Sequence, residues 1–257
     1  MKEQYIQINE EDIPDMFEIE KVGDKFKIKF SRSKPIFIKL PFILDEKVAT
    51  LAGLMPDGSL IKDLMRIYFG QKKYISKVYL FIDLLKELFN PESTLLIRKA
   101  HKGGLDGYTN SQTLCKFLYF VLNFTKSDEE FKIPKWVFES PRSVKITYIR
   151  EAFAMEGCVE KWPRKIITLV NKPPHLPYGL QKMLLLFGIK ATVKTRIGGL
   201  KPQLQYKLFI SGRENLMKFQ EIGFTYQQHK ERFKRIINFY ENKTIAGDGV
   251  PQNHSRS

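Results

Sequence analysis

Cysteine is nearly absent from this 257-residue sequence: Cys115 and Cys158 are the only two, and they lie far apart. That excludes a disulfide framework and any cysteine-based metal spacing, so both thiols read as small core residues in a reducing compartment. Histidine is sparse as well. His101, His175, His229 and His254 are scattered, form no His/Cys zinc pattern and come with no nucleophile-elbow motif, which removes zinc hydrolysis and serine chemistry. No apolar run reaches bilayer-spanning length, and the polar start Met1-Lys2-Glu3-Gln4 is not a signal peptide. The expectation is a soluble, intracellular protein without a membrane partner. Gly103-Gly104 and Gly198-Gly199 lack a following Lys-Ser/Thr and read as hairpin turns, not as a phosphate loop. Acid is also in short supply: Asp+Glu number 28 against 43 Lys+Arg, a net charge of +15 and a pI near 9.6. Such an excess points to a polyanionic partner, nucleic acid ahead of an anionic membrane.

What is present is a chain that is 43% hydrophobic, enough to build one large core or two small ones. Residues 1–44 alternate in Phe17-Glu18-Ile19-Glu20 and Phe26-Lys27-Ile28-Lys29-Phe30 around Gly23-Asp24, which predicts a β-hairpin, followed by an extended segment from Pro35 to Phe42. This N-terminal β-rich extension either lengthens a binding surface or covers the core. Asp45 is a helix cap for a run ending at Pro56-Asp57-Gly58. Strands over 59–64 and 66–69, a helix over 74–89 stopped by Asn90-Pro91, strands over 94–99 and near Tyr108, and a helix over 111–124 complete a first unit, 45–125. Asp106-Gly107 reads as a flexible connection. After a linker at 126–142 the order repeats in 143–243: a helix over 143–155, strands over 158–161 and 165–170, a helix over 178–187, strands over 191–196 and 203–210, and helices over 213–221 and 227–240. Both halves read αββαββα, an α+β fold with pseudo-twofold symmetry. Residues 244–257, rich in Gly, Asn and Ser, read as a disordered tail.

The duplication is sharpest in two stretches, Thr50-Leu51-Ala52-Gly53-Leu54-Met55-Pro56-Asp57-Gly58 and Ile149-Arg150-Glu151-Ala152-Phe153-Ala154-Met155-Glu156-Gly157. Each is a small-residue helix running into an acid and a glycine. The first resembles the signature helix of the LAGLIDADG homing endonucleases, in their two-repeat, single-chain form known from archaeal introns and inteins, and the likeness spans about Asp45 to Tyr240. It implies a saddle of antiparallel sheets straddling DNA, with Asp57 and Glu156 at the foot of two packed helices, one acid for each strand cut. It also implies a monomer in an archaeal-type cytoplasm, an organelle being left open. One departure is visible: five positions before the acid the family places a small residue, and repeat one has Ala52 but repeat two has Glu151. Gly53 and Ala152, both four before their acids, are the alternative points of close contact.

Phosphodiester hydrolysis needs an activated water, charge neutralisation in the transition state and a stabilised leaving alkoxide. Magnesium, with manganese as substitute, meets these needs with few protein ligands. Carboxylates at helix C-termini, where orphan carbonyls gather, suit it, so Asp57 and Glu156 are the candidate metal ligands. A second repeated set is Gln71-Lys72 and Asn171-Lys172, with the amides 14 and 15 positions after their acids. It resembles the basic-plus-amide pocket of the archaeal members, where the lysine polarises the water or the scissile phosphate. Recognition of a long duplex target falls to the strands, since a β-ribbon fits the major groove. Lys62, Arg66, Arg98, Lys165, Lys194, Arg196, Gln203, Gln205 and Lys207 are the candidate groove-facing positions. Two alternatives share the fold, an intron RNA maturase and a non-cleaving DNA-binding protein.

Overall fold

The computed structural model describes residues 4–61, 63–100, 103–125, 132–198 and 203–247. The N-terminal segment forms β1 (Gln7–Ile8), β2 (Phe17–Val22), β3 (Lys25–Phe30), β4 (Ile36–Ile38) and β5 (Phe42–Ile43). Strands β2-β3-β4 make an antiparallel sheet and β1 pairs with β5. Alternation decides what this sheet does: Phe17, Ile28, Ile36 and Ile38 are buried, and Phe17 and Phe42 set their rings edge-on to Phe117 at 6.2 Å. On the outer side Lys27, Lys29 and Lys39 pair with Glu20, Glu18 and Asp24. The extension therefore covers the core, and three of its lysines are spent on its own acids.

The first unit follows as α1 (Glu46–Leu54), β6 (Gly58–Ile61), β7 (Arg66–Gln71), α2 (Ser76–Phe89), β8 (Leu95–Lys99), β9 (Leu105–Thr109) and α3 (Gln112–Phe120). A short helix, α4 (Lys135–Glu139), stands in the stretch expected to be a plain linker; Trp136 anchors it by burial and by donating from Nε1 to the Leu122 carbonyl at 2.9 Å. The second unit is α5 (Arg142–Glu156), β10 (Gly157–Val159), β11 (Ile166–Asn171), α6 (His175–Leu185), β12 (Ala191–Gly198), β13 (Gln203–Ser211) and α7 (Arg213–Phe219). Helix α8 (Gln227–Gly247) is surplus to the repeat and extends past the expected end at 240, into what reads from sequence as tail. The two four-stranded sheets have the same order, β6-β7-β9-β8 and β10-β11-β13-β12, all antiparallel. The fold is thus two αββαββα units. Asp106 and Gly107 belong to β9 rather than to a loose connection, because Gly107 lets the strand lie against Val78 and Ile82 of α2, where a Cβ would come within 3.0 and 3.1 Å.

Helices α1 and α5 pack against each other and carry the acids at their ends. Asp45 starts α1 by accepting from the amides of Lys47 and Val48 at 2.9 and 3.1 Å. Gly53 is the contact point: a Cβ there would stand 2.6 Å from Cβ of Glu151 and 3.1 Å from the Tyr148 carbonyl. Glu151 thus occupies the interface that small residues would otherwise line. Its carboxylate is buried, ion-paired with the equally buried Lys77 of α2 and bonded by the Thr225 hydroxyl at 3.1 Å. A buried carboxylate persists only when paired in this way.

Candidate active site and nucleic-acid interface

Each acid sits where its helix hands over to a strand. Asp57 ends a single 3-10 turn, Met55–Asp57, that follows α1, and Glu156 is the last residue of α5. Strand β7 runs back toward Asp57 and places Gln71 so that its amide donates to Asp57 Oδ2 at 2.5 Å. The same amide lies 3.8 Å from Sδ of Met155, the residue before Glu156, so the first acid's shell includes the second repeat. The converse holds in repeat two, where a cavity of about 230 Å³ is lined by Glu156, Asn171, Lys172 and Gln205, and by Pro56 of repeat one. Gln71 and Asn171 are the last residues of β7 and β11, and Lys72 and Lys172 are the exposed residues that follow. The sequence had Gln205 only as a groove residue; the structure adds it to the lining of the Glu156 cavity.

Gly104, which reads from sequence only as part of a turn, packs against the candidate site. Its φ is +96°, and a Cβ would fall 2.3 Å from the Gln71 carbonyl oxygen and 2.6 Å from Cα of Lys72. Only glycine lets the β8–β9 turn press against the backbone that carries the amide and lysine. A second neighbour is Tyr226, stacked on Tyr74 with ring centroids 3.5 Å apart. Burial pushes its phenol up, and the charges of Glu151, the Tyr74 phenol and Asp57 add to this, so it stays protonated. Cys115 is buried and its thiol pushed up to about 12 by burial, an inert core group.

Register sorts the groove candidates. In β13 Leu208 and Ile210 are buried, so Gln203, Gln205 and Lys207 share the outward face. Their partners on β12, including Lys194 opposite Lys207 and Arg196 opposite Gln205, point the same way. Arg196 Nε donates to Gln205 at 3.0 Å, and Lys207 pairs with Glu160 at 3.3 Å. In repeat one Ile67 and Phe69 are buried, leaving Arg66 and Tyr68 outward with their β9 and β8 neighbours Tyr108, Asp106 and Arg98. Both arginines lie over the Tyr108 ring, at 4.9 and 5.0 Å. Asp106 was missed from sequence. It is buried, accepts from the Tyr68 hydroxyl at 2.9 Å and pairs with Arg98 at 3.4 Å, fixing that guanidinium in place. Burial raises the Tyr68 phenol, with the Asp106 bond second. Lys165 is not on its strand: the turn fills 160–165, Pro163 having no amide to give the ladder, and the lysine lies over Trp162 and Phe239 at 5.0 and 4.3 Å. Lys62 lies outside the described residues.

Among the described residues no three His, Cys, Asp or Glu side chains gather as a metal cluster. The donors at the site are the two carboxylates and the amide oxygens of Gln71 and Asn171. That all-oxygen set fits a hard divalent cation that keeps several waters and takes phosphate oxygens as further ligands. Among the described residues no helix is long and apolar enough to cross a membrane.

The family model described as a LAGLIDADG-like domain matches residues 143–223. Among solved structures, mesophilic variants of the homing endonuclease I-DmoI superpose with a TM-score of 0.50 at 19% identity, over 70% of this chain and 96% of theirs. Residues 143–223 thus carry a LAGLIDADG-like domain, and the chain has the fold of that endonuclease. Similar curated proteins include an A-type ATP synthase subunit of Pyrococcus abyssi, 26% identical over 209 residues, covering 80% of this chain and 20% of that one. The replicative DNA helicase DnaB of Rhodothermus marinus is 32% identical over 120 residues, 45% of this chain and 13% of that one. The replication factor C small subunit of Methanocaldococcus jannaschii is 25% identical over 221 residues, 84% and 11%. The chain spans a fifth or less of the length of these relatives.

Proposed function

We propose that this chain is a site-specific endonuclease that hydrolyses one phosphodiester in each strand of a long duplex target, leaving 3′ overhangs, with magnesium as cofactor and manganese as substitute. The observation that carries the reading is the duplicated set of acid, amide and lysine, Asp57-Gln71-Lys72 and Glu156-Asn171-Lys172, at the foot of two packed helices. Each set lies at the strand ends of an antiparallel sheet whose outward face carries arginines in repeat one and lysine, arginine and glutamine in repeat two. Two antiparallel strands related by local twofold axes suit two pseudo-equivalent sites.

Asp57 and Glu156 would hold the cation, which supplies Lewis-acid stabilisation of the phosphate and of the leaving alkoxide. Gln71 fixes the Asp57 carboxylate by donating to it, so that little reorganisation is needed as charge develops. Lys72 and Lys172, each following its amide at the strand end, would polarise a water or the scissile phosphate. The outward faces, led by Arg66 and Arg98 in one repeat and Lys194, Arg196, Gln203, Gln205 and Lys207 in the other, would read base edges and grip phosphates.

A role in mobility of a host intron or intein is supported by the company the chain keeps. Related segments occur within a helicase, a replication factor and an ATP synthase subunit, making up between 11% and 20% of each. A segment shared by proteins with such different names behaves as an insertion.

The test is incubation with magnesium and a randomised duplex library, followed by sequencing of the cut ends. Cuts at one sequence, offset between strands to leave 3′ overhangs, are expected. Intact duplex together with tight binding to intron RNA would replace this reading with the maturase.

A further inference from the structure

Two clefts lie at matching places on the two repeats. Strand β6 starts beside Asp57 and runs away from it, and β7 returns to Gln71; β10 and β11 do the same around Glu156. The turns joining each pair are therefore the parts of the two sheets farthest from the acids. Four residues of β6 and three of β10 at about 3.4 Å each, on either side of a helix pair about 9 Å across, put the two turns on the order of 33 Å apart, about ten base pairs of duplex.

At each turn an element from outside the repeat closes a cleft and brings cations. In repeat one it is the β3–β4 turn. Ser31, Arg32, Ser33 and Lys34 face Met65, Arg66 and Asn110 across a space of about 840 Å³. This turn is fixed: Thr113 of α3, fully buried, accepts from the Phe30 amide at 3.1 Å and bonds the Ser33 hydroxyl at 2.5 Å. Unlike Lys27, Lys29 and Lys39, the exposed Arg32 and Lys34 have no acid partner among the described residues. In repeat two the element is α8. Arg232 and Arg235 face Glu160, Lys161 and the exposed Trp162 across about 340 Å³, and the Glu160 carboxylate is already paired with Lys207 at 3.3 Å. Arg232 Nη1 donates to the Val159 carbonyl at 3.1 Å, tying the helix to β10, and Arg235 lies over the Trp162 ring at 4.9 Å.

Resting on the duplex-binding reading, we propose that these two clefts, built by the N-terminal turn and by α8, grip the phosphate backbone of the duplex flanking the cut site on either side, lengthening the footprint beyond the sheets. Cations held on rigid supports at both exits of the saddle add affinity and register but no sequence information. The unequal parts that build them, a β-turn and a helix, mark them as additions to the repeat at a shared location rather than products of the duplication.

The test uses the full chain and two random-sequence duplexes, one of about ten base pairs that the sheets alone can cover and one of about thirty. Two double variants of exposed residues are compared with wild type, Arg32→Gln/Lys34→Gln and Lys161→Gln/Arg235→Gln, each checked for an unchanged melting midpoint. On the long duplex each pair is expected to lower the slope of log K against log salt by about two, and on the short duplex by nothing measurable. Slopes equal to wild type on the long duplex, or equally reduced on both, would overturn the proposal while leaving the duplex reading intact. If wild type itself binds neither duplex, the duplex reading fails and this one with it.

Discussion

Lys77 lies on the apolar stripe of α2 with Phe81, Leu84 and Leu85, a place where a lysine needs a reason. The reason is 74 residues away in Glu151, which takes the small-residue position of the α1–α5 interface. Lys77→Met is expected to destabilise the fold by about 3–5 kcal/mol, because it strands a buried carboxylate. The double variant Lys77→Met/Glu151→Ala should recover most of that loss, and urea unfolding of the three proteins checks both. A recovery of nothing would mean that the pair is not the element that Glu151 requires. Gly104 supplies a second test. Gly104→Ala places a side chain at φ +96° against the Gln71 carbonyl, so about 1–3 kcal/mol of strain is expected in unfolding measurements, with cleavage reduced because the amide and lysine move. The acids, amides and lysines stand out as candidates because they recur at near-constant offsets. Lys77, Asp106 and Tyr226 were not, since their partners lie on other elements and no local pattern announces them. Glu151 alone carried a usable signal: a carboxylate at the small-residue position of a packed helix demands a buried cation.

At the scale of elements, alternation and caps were enough to find the repeated helices and strands, Asp45 and the Asn90-Pro91 stop among them. Register was not legible, because a one-residue slip exchanges the two faces of a strand. The burial of Leu208, Ile210, Ile67 and Phe69 settles it, placing Arg66, Arg98, Lys194, Arg196, Gln203, Gln205 and Lys207 outward. Helix α4 was invisible because five residues hold too little periodicity to register. The strand ends carry the sharpest prediction at this scale. If Lys72 and Lys172 act on the transition state, Lys72→Met and Lys172→Met should each lower the single-turnover cleavage rate by a factor on the order of a hundred while changing DNA affinity little. A phosphate-gripping lysine behaves otherwise: its loss weakens binding uniformly and lowers the salt slope by about one, with the saturated rate nearly intact. Measuring rate and slope on the same proteins separates the two roles.

For the whole molecule, the net charge of +15 is unevenly spent. The N-terminal sheet pairs three lysines with its own acids, whereas the outward faces of the two sheets hold arginine and lysine on aromatic rings, at Tyr108 and Phe209. Affinity for duplex DNA should therefore fall on the order of a thousandfold or more between about 50 and 200 mM salt, as expected of a protein that displaces several counterions; a change of only a few fold would contradict an extended interface. On the proposed function, the two repeats supply one acid to each strand. Its most direct test is cleavage of the duplex recovered from the library selection by wild type, Asp57→Asn and Glu156→Gln under single-turnover conditions with magnesium. Both variants should bind that duplex as wild type does without metal and should make no double-strand break. A double-strand rate within about tenfold of wild type for either one, roughly 1.4 kcal/mol of barrier, would contradict the assignment.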